Sequence, residues 1–342
     1  MKRTSRAIVV LLVAMLFVSV LAGCKTVEPE AKKLKIGLSL ATLQEERWVR
    51  DKDRITADCA AQGIELLTQI ANMDAAIQES QCDQMITSGI NVLILAAQDS
   101  AAAATIVDKA HAAGVYVISY DRLVMNTPNV DVYISFDNVQ VGVLQGTWLT
   151  KAMPKGNYAI LSGAPTDNNA KLFKQGAMSI IQPLVDKGDI KIVAEQAVIE
   201  WKPENALKIM ENALTANKNN IQGVLAPNDG TAGGCIQALA AQGLAGKVPI
   251  TGQDAELAAA QRIVKGTQGM TVFKDTRMLG DAAVEAAKTM FGGYKLANAN
   301  QTVNNNTVDV PSILLVPISV NKDNIDAALI DSGYLKRADV YQ

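Results

Sequence analysis

From residue 35 onward the chain repeats one pattern, in which a short apolar run is followed by a polar loop and then by an alanine-rich segment. Short apolar runs bounded by turn residues indicate buried strands, and apolar residues spaced by three and four indicate amphipathic helices. The predicted strands are KIGLSL, IELLTQI, NVLILAA, VYVISY, VYISF, YAILS, KIVAEQAV, GVLA, VPITG and MTVF. Continuous apolar strands that alternate with helices predict an α/β protein with parallel sheets covered on both faces.

Several helix boundaries can be read from the sequence. Pro203 opens the segment PENALKIMENALTAN, where a proline in the first turn is tolerated. Gly114 ends an alanine-rich helix directly before VYVISY, which is the helix-to-strand joint of a βαβ unit. Asn168 and Asp229 are the predicted N-caps of the helices that follow YAILS and GVLA, because polar residues after a strand commonly cap the next helix.

About ten strands are too many for one comfortable twisted sheet, so the sequence favours two doubly wound, Rossmann-like lobes. The lobes join near SFDN, residues 135–138. Late in the chain, FKDTRMLGDAAVEAAKTMFGG supplies another helix, and VDVPSILL supplies an extended segment that could cross back between the lobes. Periodicity alone leaves the number of crossings open.

The N-terminus carries an export signal. A basic stretch, MKRTSR, precedes a 14-residue apolar core, AIVVLLVAMLFVSV, which is shorter than the span of about 20 residues that crosses a bilayer. The sequence LAGC that follows resembles the lipobox of bacterial lipoproteins. This resemblance implies a signal peptide over residues 1–23, a lipid on Cys24, and a polar tether over residues 24–34. The protein is therefore expected to be exported and anchored to the cell membrane.

Composition and charge narrow the function classes. With 32 basic and 34 acidic residues the formal net charge is −2, which gives no indication of a nucleic-acid partner. The single histidine, His111, lies in a helix away from any strand end, so a His-based triad or a histidine metal site is not expected. The sequence has no phosphate loop, dinucleotide fingerprint or calcium loop, so no cofactor is implied.

Three cysteines remain beyond Cys24, namely Cys59, Cys82 and Cys235. Their odd number and spacing fit neither a closed disulfide framework nor a metal site. Buried thiols are expected, while a bridge between Cys59 and Cys82 stays open.

Polar side chains recur directly after the predicted strands. In open parallel sheets, ligands bind in the crevice beyond the carboxyl ends of the strands. The candidate residues found there are Arg47, Trp48, Asp121, Arg122, Asp167, Asn169, Asn228, Asp254 and Lys274, with Gln253 beside Asp254. Helix capping, or a surface ion pair for Asp121 and Arg122, would explain some of them singly. Their repetition at one topological position favours a common crevice between facing lobes.

The residue types in this set suit a neutral polyol. Asp121, Asp167 and Asp254 balance Arg47, Arg122 and Lys274, whereas an anionic ligand would require an excess of cations. Trp48 and Trp201 are predicted platforms for the apolar face of a sugar ring, and Trp148 is predicted to pack in the core. Paired carboxylates could also indicate a glycosidase. Each acid here has a cation or an amide nearby, which lowers the carboxyl pKa and suits binding rather than proton donation.

Longer motifs carry a family resemblance that runs from about Lys35 to the C-terminus. They are EERW, YDR, YISFDN, DNNAKLF, W-x-PENALKIMENALTAN, ND-x-TAGG-x-IQAL-x-AQGL-x-GKV and GQDAELA. With the export signal and the two α/β lobes, the chain resembles the type I periplasmic sugar-binding proteins of bacterial ABC importers, and within them the D-xylose-binding group. It departs from that group just upstream of Arg47, at Ala41 and Thr42.

The resemblance implies a fold, a site and a role. The fold has two lobes joined by a three-segment hinge, with crossings near Asp137, Asp275 and Asn304. Lobe I then comprises residues 35–137 and 276–303, and lobe II residues 138–275 and 304–342. The implied sugar contacts are Arg47, Trp48, Asp121, Arg122, Asp167, Asn169, Trp201, Asn228, Asp254 and Lys274. The lobes close over a monosaccharide, D-xylose first, and the closed form delivers it to an ABC permease, with no catalytic residues.

Alternatives remain at this point. Ribose, glucose or arabinose could be the ligand in place of D-xylose, and a chemoreceptor is an open further partner. A sugar-responsive transcription regulator shares the two-lobed fold but requires an N-terminal helix-turn-helix, where this chain has an export signal. An extracytoplasmic carbohydrate enzyme is a further alternative, which turnover of a sugar or xyloside would reveal.

Overall fold

The computed structural model describes residues 33–299 and 301–342. The predicted signal peptide and the lipidation site Cys24 lie outside these ranges, as does most of the predicted tether. Residues 34–342 pack as one compact unit. No helix in the described ranges combines the length and apolar character needed to cross a bilayer.

A seven-stranded sheet forms the centre of the first lobe. Its strand order is β10-β11-β5-β4-β3-β1-β2, and every pairing is parallel except β10 with β11. The strands are β1 Lys35–Leu40, β2 Glu65–Ile70, β3 Val92–Leu95, β4 Tyr116–Tyr120, β5 Val132–Phe136, β10 Gln301–Asn304 and β11 Asp309–Leu315. The helices are α1 Glu46–Ala61, α2 Ala75–Thr87, α3 Ala104–Ala112 and α9 Thr276–Phe291.

The helices of this lobe cover both faces of the sheet, as continuous apolar strands require. Trp48 and Ile55 of α1 and Leu279 of α9 pack in one apolar cluster with Ile36, Leu38 and Leu40. Met85 of α2 and Ile106 of α3 pack on the other face with Leu93 and Leu95. Alternation of the side chains along each strand separates the two clusters.

The second lobe has a parallel sheet in the order β7-β6-β8 and an antiparallel pair, β9 with β12. Residues 249–254 connect the two, because Val224 pairs with Ile250, and Val272 N–H donates to the carbonyl of Gly252. The strands are β6 Gly156–Ser162, β7 Ile190–Ala197, β8 Gly223–Leu225, β9 Met270–Phe273 and β12 Ile318–Asn321. The helices are α4 Asn138–Ala152, α5 Asn168–Asp186, α6 Pro203–Ala216, α7 Asp229–Ala241, α8 Leu257–Lys265 and α10 Arg337–Val340.

The chain passes between the lobes at Asp137, at Asp275 and at residues 316–317. The predicted third crossing near Asn304 is therefore wrong, as is the assignment of residues 304–315 to lobe II. Strand β11 pairs in parallel with β5, with Ser312 opposite Tyr133 and Leu315 opposite Phe136. An extended apolar segment does not specify its sheet from sequence alone, because either lobe offers an edge to it. We use lobe I for 34–137, 276–299 and 301–315, and lobe II for 138–275 and 318–342.

The three cysteines of the described residues are free and buried. Cys59 and Cys82 belong to the clusters on opposite faces of the lobe I sheet, so the bridge left open by the sequence does not form. Burial raises the pKa of Cys59 and of Cys82 to about 11, which keeps both side chains as thiols.

Candidate ligand-binding site

A small cavity lies between the lobes, beyond the carboxyl ends of β1, β4, β6, β8 and β9. The structure brings all ten residues predicted as sugar contacts to its wall. The full lining is Glu45, Arg47, Trp48, Asp121, Arg122, Asp167, Asn169, Phe173, Trp201, Asn228, Gln253, Asp254 and Lys274.

Buried charges from both lobes meet at the centre of the site. Arg47 of α1 donates from Nη1 to Oδ2 of Asp121, 2.7 Å away, and its Nη2 lies 2.9 Å from Oδ2 of Asp51 behind it. On the lobe II side, Lys274 Nζ lies 3.1 Å from Oδ1 of Asp254 and 3.8 Å from Oδ2 of Asp121. Each of the two cations therefore contacts at least two acids, and Asp121 is shared between them.

A second ion pair crosses between the lobes. Arg122 Nε lies 3.0 Å from Oδ2 of Asp167, and Arg122 Nη1 donates to the carbonyl of Ala97 over 3.1 Å. Beside it, Asn169 Nδ2 donates over 2.9 Å to the carbonyl of Asp121. Asp167 and Asn169 thus fasten the start of α5 to the end of β4 as well as facing the cavity.

These contacts shift the carboxyl pKa values in different directions. Burial tends to raise the pKa of Asp121, but Arg47, Lys274 and Arg122 outweigh it and lower the pKa to about 2. Burial raises the pKa of Asp167 and of Glu45, with Arg122 acting in the opposite direction on both, so the lowered pKa predicted for each acid is wrong for Asp167. Burial also raises the pKa of Asp51 to about 6, against the effect of Arg47. Asp121 therefore stays an ionised acceptor at every physiological pH.

Three aromatic rings form the apolar part of the wall. The guanidinium groups of Arg47 and Arg122 lie 4.4 Å and 5.2 Å from the ring centre of Trp48. Phe173 and Trp201 meet edge to face with their ring centres 6.4 Å apart. Gly163 makes room for Trp201, because a Cβ at that position would lie 2.0 Å from the indole ring. Rings placed beside donors and acceptors suit a ligand with both hydroxyl groups and C–H faces.

The backbone is strained at several wall residues. Asp121, Trp201 and Asp254 have φ angles of 60°, 56° and 96°, a region that non-glycine residues rarely adopt. Each such residue costs roughly 1–3 kcal/mol and persists only where the surroundings enforce it. Strand neighbours do so here, since Asp121 N–H donates to Ile134 and Asp254 N–H to Val272, both over 2.8 Å. Strain of this kind concentrates at functional sites.

Four buried polar atoms of the cavity-lining residues lack a hydrogen-bond partner. They are Glu45 Oε2, Trp201 Nε1, Gln253 Oε1 and Asp254 Oδ1. Asp254 Oδ1 is close to Lys274 but is not aligned with it for a hydrogen bond. A buried donor or acceptor without a hydrogen-bond partner costs about 1–3 kcal/mol. The one donor and three acceptors left unpaired here therefore favour a polar ligand that pairs with them.

Sequence reasoning missed Glu45 and Phe173 and did not commit to Gln253. Phe173 lies one helical turn after Asn169, so its i, i+4 spacing was an available signal. Gln253 follows a strand-like run, as the other wall residues do.

Two predicted caps are also corrected. Asp167 caps α5, accepting from Asn169 N–H over 2.9 Å, whereas Asn168 is the first helical residue. Asn228 caps α7 in a capping box with Thr231, whereas Asp229 accepts hydrogen bonds from Gln268 and Thr271. Each capping side chain also belongs to the cavity wall, so capping and site roles coincide.

Hydrogen bonds across the mouth of the cavity join the lobes on both sides. On one side Ser100 N–H donates to the carbonyl of Thr166 over 2.9 Å. On the other side, the carboxyl groups of Glu46 and Glu256 each accept a hydrogen bond from a backbone N–H at the start of a helix in the opposite lobe. Glu256 Oε1 accepts from Glu46 N–H over 3.3 Å, and Glu46 Oε2 accepts from Leu257 N–H over 2.8 Å. The described structure is therefore a closed form, in which wall side chains such as Arg47 and Lys274 are only 3% exposed.

Three of the four acids of the wall are paired with bases. No group of three or more His, Cys, Asp or Glu side chains suited to a metal occurs within 33–299 and 301–342. Asp121, Asp167 and Asp254 each have a basic nitrogen within 4.0 Å. The lining holds four acids and three bases, which disfavours an anionic ligand and leaves hydroxyl groups as the matching chemistry.

Comparison with known proteins agrees with this geometry. Residues 36–295 match the family described as periplasmic binding protein domain. The chain is 46% identical over 314 residues to the D-xylose-binding periplasmic protein of Escherichia coli, covering 92% of this chain and 94% of that protein. It is 35% identical over 325 residues to the multiple sugar-binding periplasmic receptor of Rhizobium radiobacter, covering 90% and 92%.

A crystal structure with a similar fold is that of a carbohydrate transporter solute-binding protein from Chloroflexus aurantiacus in complex with D-glucose. It superposes with a TM-score of 0.84 at 34% identity and covers 90% of this chain and 98% of that one. The predicted α/β architecture of two doubly wound lobes is thereby confirmed. The family match, the sequence identity and the shared fold show that this chain belongs to the family of type I periplasmic sugar-binding proteins.

Proposed function

We propose that this protein binds D-xylose in the interlobe cavity and delivers it to an ABC permease. The observation that carries the proposal is the cavity wall itself, in which bases that do not outnumber the acids, unpaired polar atoms and aromatic rings match a neutral polyol of small size. The 46% identity to a D-xylose-binding periplasmic protein supports xylose as the first choice of sugar. The role is binding without turnover, because Asp121, Asp167 and Asp254 are each held by a basic nitrogen within 4.0 Å, an arrangement that suits accepting hydrogen bonds from hydroxyl groups.

Another monosaccharide is the second candidate ligand. A structural relative at 34% identity holds D-glucose, and another relative is named for binding multiple sugars. A pentose and a hexose differ by one hydroxymethyl group, which a cavity wall excludes or admits by small changes of volume.

A calorimetric titration of the purified protein tests the proposal. D-xylose is expected to bind most tightly in a panel with ribose, arabinose, glucose and galactose, while xylosides remain intact on incubation. Tighter binding of glucose would show that glucose rather than D-xylose is the ligand, and the proposed role in sugar transport would stand. Turnover of a xyloside, or no heat with any sugar, would contradict the proposed function.

We also propose that the lipid on Cys24 anchors the protein to the membrane. The support is the sequence LAGC after the apolar core, with small residues before the cysteine. In the source bacterium, the unaltered protein is expected in the membrane fraction and a Cys24→Ala variant outside it. Equal distribution of the two would contradict lipid anchoring.

The pH dependence of binding should report the contact between Glu46 and Glu256. Burial, together with Asp229 and Asp254, raises the pKa of Glu256 to about 8 in the closed form. Separation of the lobes would break the contact with Glu46 and expose Glu256, so its pKa should move down toward the value of about 4.3 that an exposed glutamate has. At a pH between these two pKa values, Glu256 takes up a proton when the lobes close. Affinity should therefore fall as the pH rises from about 5 to 8.

A Glu256→Gln variant should flatten this pH profile, because the amide cannot titrate and still offers an oxygen to Glu46 N–H. Titrations at several pH values check it, with Glu65→Gln as the control, since Glu65 is exposed on β2. An unchanged slope in Glu256→Gln would assign the pH dependence to another group.

A further inference from the structure

Glu45 occupies the N-cap position of α1 but does not cap the helix. Its backbone is extended, with φ −81° and ψ 137°, and its side chain accepts no hydrogen bond from the first turn. Serine, threonine, aspartate and asparagine are preferred at this position because their short side chains reach those N–H groups. The N–H of Glu46 is bonded by Glu256 of lobe II. Helix formation therefore does not explain why the Glu45 side chain is directed elsewhere.

The carboxyl group of Glu45 is buried and only partly satisfied. The residue is 7% exposed and lines the cavity. Its Oε1 accepts a hydrogen bond from Gln44 Nε2 over 3.1 Å, whereas its Oε2 is buried without a partner. A buried polar atom left unpaired is costly, and natural proteins keep such atoms rare. Because Glu45 lines the cavity, a bound ligand could supply a partner for Oε2.

Glu45 also differs from the other acids of the wall in its charge environment. Asp121, Asp167 and Asp254 each have a basic nitrogen within 4.0 Å. Among the described residues, Glu45 has none within that distance. It is the fourth acid in a wall with three bases, so it does not complete an ion pair. A ligand contact is the remaining use for an unpaired carboxyl group in this position.

We infer that Glu45 is a further ligand-contacting residue, whose carboxyl group bonds one hydroxyl group of the bound sugar and thereby contributes to specificity. The inference rests on the proposed function, because it assumes a sugar in the cavity. A neutral hydroxyl group fits the position, since it donates to a carboxyl oxygen without adding charge. A carboxylate on the ligand would be repelled by both Glu45 and Asp254.

Single-position deoxy analogues of the preferred sugar provide the test. Affinities of wild type, Glu45→Leu and Glu45→Gln are measured by calorimetry for D-xylose and for each analogue lacking one hydroxyl group. Glu45→Leu should bind the parent sugar about 10- to 100-fold more weakly, as expected for a hydrogen bond to a charged group. For one analogue this difference between wild type and variant should disappear, because the partner of Glu45 is already missing. Glu45→Gln should show a smaller loss.

The controls separate a ligand contact from a structural effect. Glu65→Leu makes the same change at an exposed site on β2 and should leave affinity unchanged. Thermal unfolding of the sugar-free variants reports whether Glu45→Leu still folds, and Glu45→Gln keeps the size of the side chain if it does not. Equal losses for every analogue, or unchanged affinity for the parent sugar, would overturn the inference while the proposed function stands. Failure of the wild type to bind any sugar would overturn both.

Discussion

Alanine in place of Asp254 should weaken sugar binding by about 10- to 100-fold, which corresponds to the loss of a hydrogen bond to a charged group. Asp254 Oδ1 has no hydrogen-bond partner in the protein, and Asp254 lines the interlobe cavity. Asp254 is also the nearest acid to Lys274, at 3.1 Å, so its removal leaves a buried ammonium group with Asp121 at 3.8 Å. Both effects act against a closed, liganded form.

Calorimetric titration of Asp254→Ala and Asp254→Asn measures this effect. The asparagine variant keeps an acceptor oxygen and the size of the side chain, so its loss should be smaller than that of alanine. Asp323→Ala is the matched control, because Asp323 is an exposed acid of the same lobe. Unchanged affinity in Asp254→Ala would show that the ligand does not use this part of the cavity.

Alanine in place of Gly176 should lower the free energy of unfolding by about 1–3 kcal/mol, the usual cost of overpacking. Helices α4 and α5 cross so closely that a Cβ on Gly176 would lie 1.9 Å from the carbonyl oxygen of Val139. A Cβ on Gly142 would likewise lie 1.9 Å from the carbonyl oxygen of Phe173. These atoms are backbone, so no side-chain rotation relieves the clash. Helix propensity alone predicts a gain of up to about 1 kcal/mol for the same change.

Chemical denaturation with Gly230→Ala as the control separates these two effects. Gly230 is also helical, but a Cβ there would lie 3.5 Å from Pro203, which is ordinary contact. Gly230→Ala should therefore be neutral or slightly stabilising. Sugar affinity of Gly176→Ala should fall as well, because α5 also carries Asn169 and Phe173 into the cavity. A Gly176→Ala variant as stable as wild type would contradict the close crossing.

The strand-end rule found most of the wall because it depends on local order along the chain. Asp121, Asp167, Asn228 and Lys274 all follow apolar runs that are strands in the structure, and parallel strands bring such residues to one edge. Glu45 escaped the rule, because a glutamate before a helix resembles an ordinary surface residue. Its significance depends on burial and on an unpaired oxygen, which are three-dimensional properties.

The sequence by itself determined the α/β class, the two lobes, the motifs of the family and ten residues of the cavity wall. The α/β class and the two lobes follow from periodicity, whereas the wall residues follow from the chemistry at strand ends and from the family resemblance, all of which are read along the chain. Only the tertiary structure decided that β11 pairs with β5, that Asp167 and Asn228 combine capping with the wall, and that α4 and α5 meet through glycines. Strand partners, ion pairs and helix crossings join residues far apart in the chain, and their geometry is set by packing rather than by neighbours in sequence.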